Sequence, residues 1–176
     1  MPTFWPRTPE VKTSPQNVRW LNRQLERAQN GRVTWVSRVL QEVIPFNRPH
    51  RLTIVSLGPN QCVVSLPWRR RNLNHLRTMH ACALATAAEY ASGMCILSLF
   101  GVGGVRLIMS DLHMHYSRRA ESACLATASI SESQQEGVQE ALNRDGRASL
   151  LLHSTVRDSS GDVVAEADIE WHVKVL

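Results

Sequence analysis

The chain has 176 residues, of which 43% are hydrophobic and 20% are charged, so it can bury one core of ordinary size and is not disordered by composition. No segment repeats at a period of roughly 20–50 residues, which excludes solenoid and propeller folds. The net charge of +5 is uneven, because residues 1–78 carry 13 basic and 3 acidic residues whereas residues 79–176 carry 7 and 12. Of the 20 basic residues 18 are arginine, which suits bidentate phosphate contact, so the basic half is either a solvated face or a surface for a phosphate-bearing ligand.

The N-terminal residues and the cysteines indicate in which cellular compartment the protein is found. The opening stretch, MPTFWPRTPEVK, has no apolar core of the kind found in secretory signal peptides. Cys62, Cys82, Cys95 and Cys124 form no C-x-x-C pair, and no histidine stands near them at zinc-binding spacing. We therefore expect a cytoplasmic protein with reduced thiols and no structural metal.

Helices are predicted before the first strand. Ser14-Pro15 is typical of an N-cap followed by proline at the first helical position, and the apolar residues after it recur at helical spacing until about Gly31. A second stretch with helical periodicity follows. These patterns predict an N-terminal helical extension over residues 1–44 and a main domain over residues 45–176.

The main domain begins with two strands and a helix. The strand-like runs Leu52–Leu57 and Cys62–Trp68 are joined by a predicted turn at Gly58-Pro-Asn60. After a polar, basic loop, the Ala-rich segment His80–Leu97 is almost uncharged, which predicts a buried helix. Residues 81–105 are long enough to span a bilayer, but their many alanines and their glycines favour a buried helix and a turn over a membrane span.

The rest of the chain predicts a meander of antiparallel strands, Val105–Tyr116, Glu121–Ile130, Ala148–Arg157 and Val163–Val175. The last strand shows the clearest pattern, since apolar residues occupy every second position and indicate one buried face. The polar segment Ser131–Gly146 is predicted as a loop or a short surface helix. The fold class is therefore α+β, with an antiparallel sheet wrapped around one long buried helix.

Three residues in the segment NLNHLRTMHACALATAAEYASG match a motif that we know. Asn74 is followed six residues later by His80, and Glu89 follows that histidine by nine residues. The spacing resembles the hotdog-fold thioesterases, in particular the phenylacetate-pathway type, and the chain is most similar to an uncharacterised branch of the hotdog families. The resemblance implies a hotdog domain acting as a homo-oligomer, a dimer or a tetramer. It also implies hydrolysis of an acyl-CoA or other acyl thioester, with no cofactor beyond the coenzyme A of the substrate.

The resemblance also implies a role for each residue of the motif. Glu89 would act as base toward water or as the nucleophile, while His80 and Asn74 would orient substrate and water. The backbone amide of Cys82, at the start of the helix, would stabilise the oxyanion. Elementary chemistry agrees, because burial raises the pKa of a carboxyl toward that of a useful base, and unpaired amides at a helix N-terminus favour negative charge.

The chain departs from the family pattern at two places. The glycine pair usual after the histidine is replaced by Ala81-Cys82, and Arg77 stands where a glycine is often found three residues before it. Bulkier residues narrow a loop that must approach substrate through its backbone. The alternative function is therefore a non-catalytic hotdog protein that binds acyl-CoA or lipid.

Helical geometry predicts how the motif is assembled. Nine residues correspond to about 900° of rotation, so His80 and Glu89 fall on opposite faces of one helix. They are expected to meet only when the helices of two subunits lie antiparallel. The neighbouring run Arg69-Arg70-Arg71 is predicted either to contact the phosphates of coenzyme A or to form a solvated loop.

Two other functions are not predicted. Asp111, His113 and His115 share one strand face, but no second cluster of ligands accompanies them, so a metal site is not expected. The basic first half contains no helix-turn-helix and no aromatic-basic stacking motif, so nucleic-acid binding is not expected either.

Overall fold

The protein is described by a computed structural model that covers residues 15–29 and 33–176. The helices are α1 (Pro15–Gln29), α2 (Val33–Val43), α3 (Ala81–Phe100) and α4 (Glu132–Asp145). The strands are β1 (Thr53–Leu57), β2 (Gln61–Leu66), β3 (Val105–Tyr116), β4 (Cys124–Ser129), β5 (Arg147–Asp158) and β6 (Val163–Val175). Ser14 and Gly31, which were predicted to bound the first helix, lie outside the described residues.

The strands form one antiparallel sheet in the order β1-β2-β4-β5-β6-β3. The predicted hairpin of the first two strands is confirmed. The predicted meander is confirmed for β4, β5 and β6, which pair in sequence. It is wrong for β3, which lies at the edge beside β6, because β4 pairs with β2 across the intervening helix. Loop lengths could not reveal this order, because these pairings join segments far apart in sequence.

Helix α3 fills the inner face of the sheet, as its nearly uncharged sequence predicts, and the α+β fold is confirmed. Although α3 is long and apolar enough to cross a membrane, eleven of its residues are buried inside the protein. The indole Nε1 of Trp171 on β6 donates to the Ser92 hydroxyl at 3.0 Å. Beside it, a methyl group placed at Gly93 would lie 3.2 Å from the Trp171 ring, so the small residue lets helix and sheet approach closely.

The alternation predicted for β6 is confirmed at its centre and fails at its ends. Ala165, Ala167, Ile169, Trp171 and Val173 are buried, and the residues between them are exposed or half-buried. At the ends, Val164 is buried and Val175 is exposed, the reverse of the predicted pattern. The segment left open as a loop or a short helix is α4, whose capping box at its first turn explains why a polar sequence is helical there.

Helix α1 covers the C-terminal end of α3. The Asn22 side chain donates to the Val102 carbonyl at 3.1 Å and accepts from its amide at 2.7 Å. Gly103 has a φ of +83° and lies against Val18, so no larger residue fits there without displacing α1. The division into a helical extension over residues 1–44 and a main domain stays a prediction.

Candidate active site

The first turn of α3 is capped by His80. Its Nδ1 accepts a hydrogen bond from the Cys82 amide at 3.1 Å, so the neutral ring carries its proton on Nε2. The predicted oxyanion donor, the Cys82 amide, is therefore engaged by His80 and becomes available to a ligand only if that ring turns away. The Ala81 amide has no hydrogen-bond partner within the described residues, so it is the open donor at this helix end.

The loop before the helix is fixed by a residue that sequence reasoning missed. Asn72 is fully buried, and its amide group donates to the carbonyls of His50 and Pro67 at 3.0 and 2.9 Å. Its Oδ1 lies 3.0 Å from Nδ1 of His50, and its backbone carbonyl accepts from the His80 amide at 2.8 Å. Asn72 thereby sets where α3 begins. No feature of the sequence distinguishes it from Asn74, two residues later.

Asn74 organises a turn. Its Oδ1 accepts from the amides of Leu76 and Thr78 at 2.9 and 3.1 Å, and its Nδ2 donates to the Thr78 hydroxyl at 2.8 Å. The oxygen and nitrogen of the Asn74 side chain are thus hydrogen-bonded within the turn. Its predicted role toward substrate or water stays a prediction. Within the same turn Arg77 has a φ of +58°, the left-handed conformation that favours glycine.

Glu89 is the single charged residue of α3. Its side chain is half-buried, and burial raises the pKa of the carboxyl above its ordinary value. No side chain of the described residues forms a hydrogen bond or an ion pair with that carboxylate. A group in this state either binds something from outside its own chain or is unfavourable where it stands.

His80 and Glu89 do not meet within one chain. Helix α3 is unbroken from Ala81 to Phe100, so the two residues lie on opposite sides of it and roughly 13.5 Å apart along its axis. The prediction that they come together across a dimer stays a prediction.

Two residues of the predicted arginine run, Arg69 and Arg70, border an open groove of about 800 Å³ that is lined in part by the turn preceding α3. We call this the basic groove; it is lined among others by Trp68, Arg69, Arg70, Asn74, His75 and Arg77. Nη1 of Arg69 is buried and has no hydrogen-bond partner within the described residues, so this nitrogen is an unsatisfied donor. Arg71, also predicted to contact phosphates, is exposed and is not among the residues lining the groove.

The thiols and the histidine pair add no further chemistry at this site. Cys62, Cys95 and Cys124 are buried, and burial raises the pKa of the thiols of Cys95 and Cys124 to about 11. Cys82 is exposed at the start of α3. Among the described residues no three histidine, cysteine, aspartate or glutamate side chains, those of His113 and His115 included, come together as metal ligands.

The fold defines the class of this protein. It is a hotdog-fold protein of the thioesterase superfamily, and the resemblance seen in the sequence is confirmed by comparison with solved structures. Residues 32–173 match a family described as "Domain of unknown function (DUF4442)", and the chain belongs to that family. A search of curated proteins finds no match.

Several solved structures share this fold. A protein of unknown function from Pseudomonas aeruginosa, described as a probable thioesterase, is 25% identical, with a TM-score of 0.74 over 81% of this chain and 96% of that one. A thioesterase family protein from Silicibacter pomeroyi is 15% identical, with a TM-score of 0.64 over 80% of this chain and 96% of that one. A thioesterase from Haemophilus influenzae is 12% identical, with a TM-score of 0.64 over 80% and 91% of the two chains.

Proposed function

We propose that this thioesterase-like hotdog protein hydrolyses acyl-CoA thioesters. The observation that carries the proposal is Glu89, a half-buried carboxylate in the middle of an otherwise uncharged helix, with no side-chain partner among the described residues. Such a group is costly to keep for stability alone, and its raised pKa suits a general base. The solved structures described as thioesterases support the same class of reaction.

The reaction needs a base, an oxyanion donor and a leaving thiolate. Glu89 takes a proton from water, whose oxygen attacks the thioester carbonyl, and the open Ala81 amide at the helix start stabilises the oxyanion. His80 offers its Nε2 proton to the substrate carbonyl. When the tetrahedral intermediate collapses, the C–S bond breaks and the thiolate takes the proton held by Glu89, which yields a carboxylic acid and free coenzyme A. In a variant of this mechanism the Glu89 carboxylate attacks the carbonyl directly, and water then hydrolyses the resulting anhydride.

The two halves of this machinery come from different copies of the chain. Because His80 and Glu89 lie on opposite faces of α3, Glu89 of one copy has to meet the helix start of a second copy. Strand β3 supports such an assembly, since it lies at the edge of the sheet and exposes Met109 and Tyr116. A twelve-residue edge with exposed apolar side chains is suited to pairing with another chain. The proposal therefore includes a homodimer with composite sites, alone or within a tetramer.

The basic groove supplies the contact with coenzyme A. It is lined in part by the turn that precedes α3, and Arg69, Arg70 and Arg77 can pair with phosphate oxygens. The indole of Trp68, 40% exposed, offers a flat apolar surface for the adenine ring. This arrangement favours coenzyme A over a carrier protein, since a carrier-bound thioester has no adenine nucleotide.

One observation favours a second function, the binding of acyl-CoA or lipid without turnover. His80 holds the Cys82 amide, and Asn74 is engaged by its own turn, so two of the four predicted catalytic groups are occupied within this chain. A binding protein would need only the groove and an apolar cavity between subunits. The two functions differ in what Glu89 does.

The experiment compares wild type, Glu89→Gln and a control, Glu140→Gln, which removes an exposed carboxylate on α4. Hydrolysis is measured on acyl-CoAs with short, long and aryl acyl groups. We expect kcat/KM of the Glu89 variant to fall by about 100-fold or more, the usual contribution of a general base, and that of the control to stay unchanged. Unchanged turnover in Glu89→Gln would show that Glu89 is neither base nor nucleophile. Acyl-CoA binding without turnover by any of the three proteins would establish the second function.

The pH profile provides an independent readout. Glu89 must be ionised to act as a base, and burial holds the pKa of its carboxyl above the ordinary 4.5. Activity should therefore rise with pH along an acidic limb whose midpoint lies above 4.5, and residual activity of Glu89→Gln should lack that limb. A midpoint at 4.5 in wild type would contradict the role of the buried carboxyl.

The carrier is tested with Arg70→Gln. Loss of this exposed guanidinium should raise KM for an acyl-CoA several-fold and leave KM for the corresponding acyl-pantetheine unchanged, because only coenzyme A carries the nucleotide. Arg38→Gln, an exposed arginine on α2, serves as the charge-matched control. An equal rise of KM for both thioesters would remove the groove from the proposal.

A further inference from the structure

A second basic cavity lies far from the candidate active site. It has a volume of about 720 Å³ and is formed by the C-terminal end of α4 together with β3, β5 and β6. Its lining includes Arg106, Ile108, Asp145, Arg147, His172 and Lys174. We call it the far pocket. Arg106 and Tyr116 stand at opposite ends of β3, ten residues and roughly 33 Å apart, and Tyr116 is the residue that contacts the start of α3.

Three cations form a row across the far pocket. Lys174 on β6 is the direct neighbour of Arg106 on β3 and of Arg147 on β5. Like charges directly opposite on neighbouring strands repel and destabilise a sheet. None of the three forms an ion pair with another residue in the described part of the chain.

The carboxylate in the pocket does not neutralise this row. Asp145 accepts from Arg144 at 2.9 Å, and that hydrogen bond, together with the charges of Arg144 and Arg147, lowers the pKa of its carboxyl. The three cations and the one carboxylate of the lining sum to a formal charge of +2. The helix dipole at the C-terminal end of α4 favours a cation near the last turn of the helix. This effect does not explain why three cations are placed there.

The rest of the lining fits an organic ligand better than a bare ion. Ile108 is 56% exposed and provides an apolar surface beside the cations. The Ser149 hydroxyl and Nδ1 of His172 lie 3.0 Å apart and offer polar partners at the rim. Charged groups on one side and an apolar wall on the other match a nucleotide, whose phosphates are anionic and whose base is flat and apolar.

We propose that the far pocket binds a small organic phosphate, a nucleoside diphosphate or a molecule of the same chemistry, on the cations Arg106, Arg147 and Lys174. This inference rests on the proposed function only in that the far pocket is separate from the site at which hydrolysis is proposed, so its ligand is not the thioester substrate. Because the pocket is a cavity and not an extended basic stripe, a small ligand fits it better than a nucleic acid.

Binding of ADP and of pyrophosphate is measured by isothermal titration calorimetry at about 50 mM salt, with adenosine as the uncharged control. Wild type is compared with Lys174→Gln, with Arg38→Gln as the charge-matched control, and with Arg70→Gln, which disables the basic groove. We expect Lys174→Gln to weaken ADP binding at least tenfold, and Arg38→Gln and Arg70→Gln to change the Kd of that site by less than twofold. Unchanged urea midpoints would show that all variants remain folded.

Each other outcome overturns the inference. Absence of ADP binding at 1 mM would show that the pocket has no such ligand. Weakening by Arg70→Gln but not by Lys174→Gln would place the nucleotide in the basic groove, which would leave the thioesterase proposal intact. Equal weakening by all three variants would show unspecific attraction. If a single-stranded oligonucleotide bound through Lys174 far more tightly than ADP, the ligand would be a nucleic acid.

Discussion

The two ends of helix α3 differ in what covers them. At the C-terminal end, α1 lies across the turn that follows Phe100, with Asn22 bonded to both backbone groups of Val102 and Gln29 donating to the Ser98 carbonyl at 2.9 Å. At the N-terminal end, His80, Ala81 and Cys82 are exposed, and they follow the turn that lines part of the basic groove. At the covered end Leu97, Ser98 and Val102 have hydrogen-bonded backbone groups, whereas the exposed end keeps an open amide and a histidine ring.

This difference separates stability from chemistry along one helix. Buried polar groups that are all paired hold an element in place, and unpaired groups at an exposed end are available to a ligand. Substitutions at the covered end should therefore change stability and leave activity unchanged, whereas those at the exposed end should change activity and have a smaller effect on stability. The predictions below test that contrast, from the largest expected change in stability to the smallest.

Asn22→Ala should lower the free energy of unfolding by about 2 kcal/mol, because it removes two hydrogen bonds and leaves both groups of Val102 without them. Chemical denaturation measures the effect, with Arg23→Ala, an exposed residue of the same helix, as control. Turnover at a temperature where both variants are folded should equal that of wild type. A tenfold loss of kcat would show that the covered end contributes to the site.

His80→Ala should cost about 1 kcal/mol through loss of the N-cap, and it should lower kcat at least tenfold. His80→Asn separates the two effects, since asparagine is a good N-cap but lacks the ring. We expect this variant to regain the stability and not the rate. Recovery of both would mean that His80 acts only as a cap.

Arg77→Gly should raise the free energy of unfolding by about 0.5 kcal/mol, because glycine adopts a φ of +58° without strain, while its greater freedom in the unfolded chain offsets part of that gain. The same change should raise KM for acyl-CoA, since it removes a guanidinium from the basic groove. Arg77→Gln keeps the strain and removes the charge, so it should share the rise in KM without the gain in stability. Stability gained with no change in KM would mean that Arg77 has no part in binding.

Much of the fold could be predicted because its longest elements carry strong local patterns. The nearly uncharged composition of α3 and the alternation along β6 indicate their type and burial directly. The sheet order could not be predicted, since pairing of β4 with β2 and of β3 with β6 depends on contacts between distant segments.

For the candidate site, the sequence predicts a set of residues, which stays a prediction, but it does not predict their contacts. The spacing of Asn74, His80 and Glu89 indicates a motif, but only tertiary contacts show that Asn72 is the buried asparagine and that Asn74 serves a turn. The hydrogen bond from the Cys82 amide to His80 could not be predicted either, because histidine is not among the common N-cap residues. The far pocket was missed because its cations are far apart in sequence and become neighbours only in the sheet.

The position of β3 beside β6 has a consequence for how the chain acquires its structure during synthesis. Residues 105–116 leave the ribosome well before residues 163–175, which provide the ladder that β3 joins within the described fold. Until then β3 is a long strand with both of its edges unpaired, and such segments associate readily with other chains. Nascent chains that stop short of β6 should therefore be prone to aggregation even though α3 and the first two strands are already complete.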